Sequence, residues 1–162
     1  MDADHLYNYV VHPTLELLDD AVPGMHSLAA CRLVTATAET ESAMMWLKQH
    51  GDGPALGLWQ IEPATASDVL DRYLNFKDVL RVAVLRIMSD RPTEEQLITN
   101  LALGAAVCRI KYWMSPTPLP LADDPVGMGH TWKQIYNTEL GAGHAGDFAA
   151  NYADLFDLEL NL

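Results

Sequence analysis

Apolar residues recur along most of this chain at intervals of three and four, the period of an amphipathic helix. Nowhere do they alternate persuasively with the two-residue period of a strand. That pattern restricts the fold to the all-α class. A first helix is expected from about Tyr7 to Ala21, carrying Val10, Val11, Leu15, Leu17 and Leu18, opened by Pro13-Thr14 and followed by a break at Pro23-Gly24. A second is expected from about Met25 to Ser42, and a third from Pro63, placed as a first helical residue, to about Asn75. The segment from about Lys77 to Met88 is apolar around most of its circumference, which predicts a central, buried helix. Thr93 with Gln96 reads as a capping box that starts the longest helix, running to about Met114.

Ser115-Pro116-Thr117-Pro118-Leu119-Pro120 cannot be helical and reads as an extended, Pro-rich strap within residues 115–125. Beyond it, Pro125 to Leu162 has room for two short helices, the first capped by Asp123-Asp124, and is too small to form a core alone. With 162 residues, 49% of them hydrophobic, the chain has the size of one globular domain, so a single domain spanning 1–162 is expected.

Charge narrows the partners. The 22 Asp and Glu against 10 Lys and Arg give a formal charge of -12, scattered rather than gathered in a tail. Such a surface repels nucleic-acid phosphates and anionic lipid headgroups, so neither nucleic acid nor membrane insertion is expected. It would also be repelled by acidic wall polymers. Met1 to His5 shows no basic region leading into an apolar stretch, so no secretory signal is expected, and no apolar run is long enough to span a bilayer. Cys31 and Cys108 fall inside apolar helical patterns and read as small buried thiols, consistent with synthesis in a reducing compartment. His130 and His144 sit beside glycines in expected loops. Without a His-Glu-x-x-His, paired cysteines or a calcium-loop pattern, neither a metal nor another cofactor is expected.

The chemistry centres on Glu41-Ser42 and, after a glycine-rich loop from His50 to Gly57, on Gly57-Leu58-Trp59-Gln60-Ile61-Glu62-Pro63-Ala64-Thr65-Ala66. Leu28, Cys31, Val34 and Ala38 define the apolar face of the second helix. Glu41, three beyond Ala38 and seven beyond Val34, projects from that face, whereas Glu39 is expected to point to water. Desolvation there disfavours the carboxylate and raises its pKa, as a general acid near neutral pH requires. Taken alone, a helix-end glutamate is most simply a solvated surface residue; the Gly57 to Thr65 run favours a cleft. Trp46, Trp59, Trp113 and Trp132 are candidate sugar-stacking faces or packing anchors, and Asp52 is a candidate second carboxylate or a turn residue.

A helix-end glutamate followed by Gly-Leu-aromatic-Gln-Ile-x-Pro-x-Thr resembles the first two motifs of the lytic transglycosylase and goose-type lysozyme superfamily. Asn100-Leu101-Ala102-Leu103-Gly104-Ala105-Ala106 is similar to its Asn-x-x-x-Gly segment. Tyr136-Asn137, followed by Leu140-Gly141-Ala142-Gly143, resembles its Tyr-Asn-x-Gly motif, although Thr138 and Glu139 intervene where the family's glycine comes sooner. The core motifs span residues 36–143. Gly53 to Gln60 and Trp132 to Thr138 also look like small lysozyme-like, virion-associated proteins of tailed bacteriophages.

The resemblance implies a lysozyme-like helical domain that cleaves the MurNAc-GlcNAc β-1,4 bond of peptidoglycan glycan strands. It implies Glu41 as acid and then base, with Ser42, Gln60, Tyr136 and Asn137 as substrate-binding residues. It further implies a phage virion component, made in the host cytoplasm, carried to the cell wall with other virion proteins. A lysozyme-like fold retained only as a structural or adaptor part of the virion is the alternative.

Overall fold

Asp2, not Pro13, starts the first helix: its side chain accepts hydrogen bonds from the backbone N–H groups of Asp4 and His5. The computed structural model describes residues 1–137 and 141–160, so Thr138, Glu139 and Leu140 of the Tyr-Asn motif, with Asn161 and Leu162, lie outside the described residues. Helix α1, residues 3–21, is α-helical over Ala3–Leu6, widens to a π segment over Tyr7–Val11, and returns to α-helix over His12–Ala21. Proline inside a helix removes a donor and crowds the preceding turn. The wider turn just before Pro13 supplies room, which is why the helix continues through a residue that reads as its start.

The remaining helices are α2 (Leu28–Ser42), α3 (residues 63–76), α4 (Asp78–Ile87), α5 (Thr93–Thr99), α6 (Leu101–Trp113), α7 (residues 125–137) and α8 (Ala145–Leu155). Two isolated bridges join Lys48 to Leu56 and Leu56 to Ile61, and no strand is formed among the described residues. The fold is all-α, as the periodicity requires, and no described helix is long and apolar enough to cross a membrane.

Three expectations about the helices are corrected. The central helix is not α4, where only Leu80, Ala83 and Val84 are buried while Val79, Val82 and Leu85 remain exposed. It is α2, buried at every position from Leu33 to Ala38, packed against α6, α8 and the π segment of α1. Second, α2 begins at Leu28, with Ser27 Oγ accepting from the Ala30 N–H, not at Met25. Third, the longest expected helix is two. Asn100 is extended (φ −113°, ψ 91°); its Oδ1 caps Leu103 N–H and its Nδ2 donates to the Ile87 carbonyl. Gln96 does not close a capping box: its buried amide accepts from Ser89 N–H and donates to the Ser89 and Arg91 carbonyls, clamping the loop before α5.

The strap from Ser115 to Asp124 is non-helical and pinned at Ala122, whose carbonyl accepts from Arg32 on α2 (3.0 Å) and from the Tyr152 hydroxyl on α8 (2.8 Å). Asp124 caps α7 through Gly127 N–H. Buried side chains from all eight helices join one core, which α7 and α8 close on the side that carries Glu41. Cys31 and Cys108 are buried and unpaired within it, and burial pushes the Cys31 thiol up to about 11.

Candidate active site

Helix α2 ends abruptly: Ala43 and Met44 both take positive φ (49° and 50°), which stops the helix and leaves Met44 in the core. Glu41 therefore lies in the last helical turn, half-buried, at the pole where backbone carbonyls disfavour a carboxylate. Trp132 Nε1–H donates to its Oε1 at 3.0 Å. Burial raises the Glu41 pKa, opposed by that hydrogen bond and by the Lys111 ammonium. The carboxyl is thus poised to hold a proton, and its anion has a fixed donor and a nearby cation when the proton leaves.

The second motif folds as a tight turn. Leu56 and Ile61 exchange backbone hydrogen bonds of 3.0 and 2.9 Å, and the four residues between them reverse the chain. Gly57 has φ +70° and Gln60 φ +44°. Trp59 is carried inward, where its Nε1–H donates to the Val34 carbonyl of α2 (2.8 Å) and its ring covers Gly104 of α6. A Cβ on Gly104 would stand 2.6 Å from that ring, so the small residue of the Asn-x-x-x-Gly segment serves the approach of Trp59. The motif tryptophan is a packing anchor, 1% exposed, not a sugar platform.

Between α2's end, this turn, α6 and α7 lies a cleft of about 430 Å³ that Glu41 and Gln60 share with Tyr136 and Asn137. A larger hollow of about 690 Å³ lies elsewhere, between α1 and α4; it is an open groove walled by Leu17, Val79 and Val82 and contains no motif residue. The smaller cleft is the one that collects convergent polar groups, the mark of a binding site.

Of the sequence-singled residues, Gln60 lines the cleft with its amide donating to the Gly57 carbonyl (2.8 Å) and the Trp46 carbonyl (3.3 Å). Tyr136 stacks on Tyr112, and its hydroxyl donates to the Trp59 carbonyl at 2.7 Å. Burial holds that phenol well above its ordinary range, so it stays neutral. Asn137 reaches the cleft with Oδ1 accepting from Lys133 Nζ, which also donates to the Gly141 carbonyl. Ser42 is not brought into the cleft: it is buried, and its hydroxyl donates to the Ala38 carbonyl of its own helix. Asp52 is exposed on the loop and lines no part of the cleft, nor does Glu39.

Sequence reasoning missed two contributors, Lys111 and Glu62, and the hydrogen-bonding role of a third, Trp132. Lys111, half-buried in the last turn of α6, places its ammonium 5.0 Å above the Tyr136 ring, and burial lowers its pKa. Among the described residues Glu62, not Asp52, is the second carboxylate on the cleft wall. Trp132 holds Glu41 and stacks on Phe148 (ring centroids 5.1 Å apart). Trp46 is the tryptophan left open to a ligand: it is 48% exposed at the cleft edge, against His50. Among the histidines, His130 lies in α7 and not in a loop, and both it and His144 are exposed.

Trp132→Phe tests the electrostatics directly. It keeps the stack on Phe148 but removes the N–H that favours the Glu41 carboxylate, so the Glu41 pKa is expected to rise further. A carbon NMR titration of the Glu41 carboxyl reads this; an unchanged or lower midpoint would contradict the assignment. No protein-family model, curated protein or solved structure matches the chain. The chemistry of the cleft is therefore read from its own side chains.

Proposed function

We propose that the protein cleaves the MurNAc-GlcNAc β-1,4 bond of peptidoglycan with Glu41 as its catalytic residue, as a lytic transglycosylase or, if water is the nucleophile, a muramidase. The observation that carries this reading is the half-buried Glu41 carboxyl, its pKa raised by burial, held by Trp132 Nε1–H in a polar cleft with an exposed tryptophan at its edge. Protonated Glu41 gives its proton to the glycosidic oxygen as the C–O bond breaks and an oxocarbenium-like centre develops. The resulting carboxylate, stabilised by Trp132 and Lys111, takes the proton of the muramyl 6-hydroxyl as that oxygen attacks the anomeric carbon and closes a 1,6-anhydro ring. Trp46 offers a sugar face, and Asn137 and Gln60 offer amides for hydroxyls. For the hydrolytic variant, Glu62 on the cleft wall is the candidate carboxylate to act on water. Delivery to the wall in a phage particle, among other virion proteins, fits a chain of charge -12 that wall polymers would repel.

A structural role in such a particle is the second reading. The observation favouring it is the exposed apolar row of Phe76, Val79, Val82 and Leu85, which a neighbouring protein would cover. Mass spectrometry of fragments released from purified sacculi decides among these readings. Anhydro-muramyl ends from the wild type alone support the transglycosylase, and reducing muramyl ends support the hydrolase. No fragments from a folded wild-type protein would remove the enzymatic reading.

A further inference from the structure

At the edge of the buried face of α1, His12 and Glu16 stand four residues apart, the spacing that brings two side chains together on one helical face. Their Nδ1 and Oε2 atoms are 3.4 Å apart. A third group joins them from outside the helix: the His26 ring meets the His12 ring edge-on, with centroids 4.6 Å apart and planes at 73°. One donor atom from each of the three lies within 4.8 Å of the other two.

His26 Nε2 carries the argument further. It is buried and makes no hydrogen bond among the described residues. Buried polar atoms nearly always have a partner, and one left bare on a residue of this three-residue cluster points to a missing partner. The backbone around His26 is meanwhile fixed from two sides. Asp19 Oδ1 accepts from Gly24 N–H (2.8 Å) and His26 N–H (2.9 Å), while Arg109 Nε–H donates to the Met25 carbonyl (2.7 Å). The ring is thus presented by a rigid turn that does not depend on the ring's own contacts, as a preorganised ligand requires.

We propose that His12, Glu16 and His26 form a binding site for a divalent ion of the zinc class, with the fourth position open to water. The donor set decides the ion: two imidazole nitrogens and one carboxylate oxygen are the ligands of open, three-residue zinc sites. Calcium and magnesium take oxygen-only shells and are disfavoured. Tetrahedral zinc with ligands at about 2.0–2.2 Å sets neighbouring donor atoms about 3.3 Å apart. The His12 and Glu16 pair already has that spacing, and Glu16 is exposed and free to turn. The His12 and Glu16 side chains are 39% and 58% exposed, so water can reach the site from the α1 side to take a fourth position. A chain of charge -12 also raises the local concentration of cations. Once bound, the ion joins α1 to the turn that leads into α2, at the opposite end of α2 from Glu41. The ion therefore acts as a brace, remote from the cleft.

The test uses the full chain, free of any affinity tag and stripped of metal, titrated with zinc by calorimetry and with cobalt by visible absorption. Expected are one equivalent of zinc, cobalt bands of a four-coordinate site, and a melting temperature that rises with zinc. His12→Gln and His26→Gln should each weaken binding by more than about 100-fold, above the 10–100-fold typical of losing an outer partner. His130→Gln should leave it unchanged. Imidazole NMR of the wild type, which needs no variant, should show zinc perturbing two of the six histidines. The proposal is overturned by absent saturable binding, by equal affinity in the His12→Gln or His26→Gln proteins, or by perturbation of other histidines instead.

Discussion

If Glu41 is the general acid proposed above, Glu41→Gln is expected to reduce the release of glycan fragments by about 10²–10⁴-fold, the contribution of a positioned general acid, while making the protein more heat-stable at pH 7. The two effects share one cause. Burial raises the Glu41 pKa above its ordinary 4.5, so the folded state binds this proton more tightly than the unfolded chain does. The stability that this proton contributes is fully present below the unfolded pKa and is lost as pH rises through the folded pKa. As pH rises above the unfolded value the wild type therefore carries a growing cost for burying this carboxyl. Glutamine fills the same space, still accepts from Trp132 Nε1–H through its carbonyl oxygen, and carries no charge. Melting curves should place the variant above the wild type at pH 7, with the difference shrinking as pH falls through the raised folded pKa and gone below about 4. Loss of activity together with a gain in stability is the signature of a site held at a stability cost for function. A variant that loses activity and melts lower than wild type would instead mark Glu41 as a structural residue and remove the catalytic reading.

The position of Glu41 was legible because helix geometry is local: the spacing to Val34 and Ala38 separates it from Glu39, and the cleft takes the one and not the other. Its partners were not. Trp132 lies 91 residues away in sequence, and Lys111 sits inside an apolar helical pattern that reads as core. The same limit explains the helix boundaries. Nothing near Met25 shows that Arg109 will hold its carbonyl and Asp19 the neighbouring N–H groups, yet those contacts keep residues 24–26 out of α2. Gln96 matches a capping box by spacing, but three backbone groups of the preceding loop claim its amide. In α4 the apolar circumference was real and the inference of burial failed, because composition around a helix does not say which faces find neighbours. His12 and Glu16 offered a readable signal, a ligand pair at helical spacing; the third ligand arrives through the turn and was invisible locally.

Gly57→Ala is expected to cost about 3–5 kcal/mol of folding stability, at the upper end of single-residue effects. Two penalties combine there. The residue sits at φ +70°, where a side chain on an L-residue costs about 1–2 kcal/mol. A Cβ would also stand 2.1 Å from the Leu97 carbonyl oxygen, a backbone atom of α5 that cannot swing aside as a side chain would. Leu97 is itself buried, and Gln96 ties the same turn of helix to Ser89 and Arg91, so relief requires either α5 or the 56–61 turn to shift. A shift of the turn moves Trp59 off Gly104 and takes Gln60 out of the cleft. Gly51→Ala isolates the first penalty, because φ is +75° there and no described atom lies within 4 Å of the added carbon. That variant should lose only about 1–2 kcal/mol. In a chain of this size each kcal/mol lowers Tm by about 2–4 °C, so thermal melts should separate the two variants clearly. If Gly57→Ala melts no lower than Gly51→Ala, the close approach of the motif turn to α5 is not what holds the cleft's floor in place.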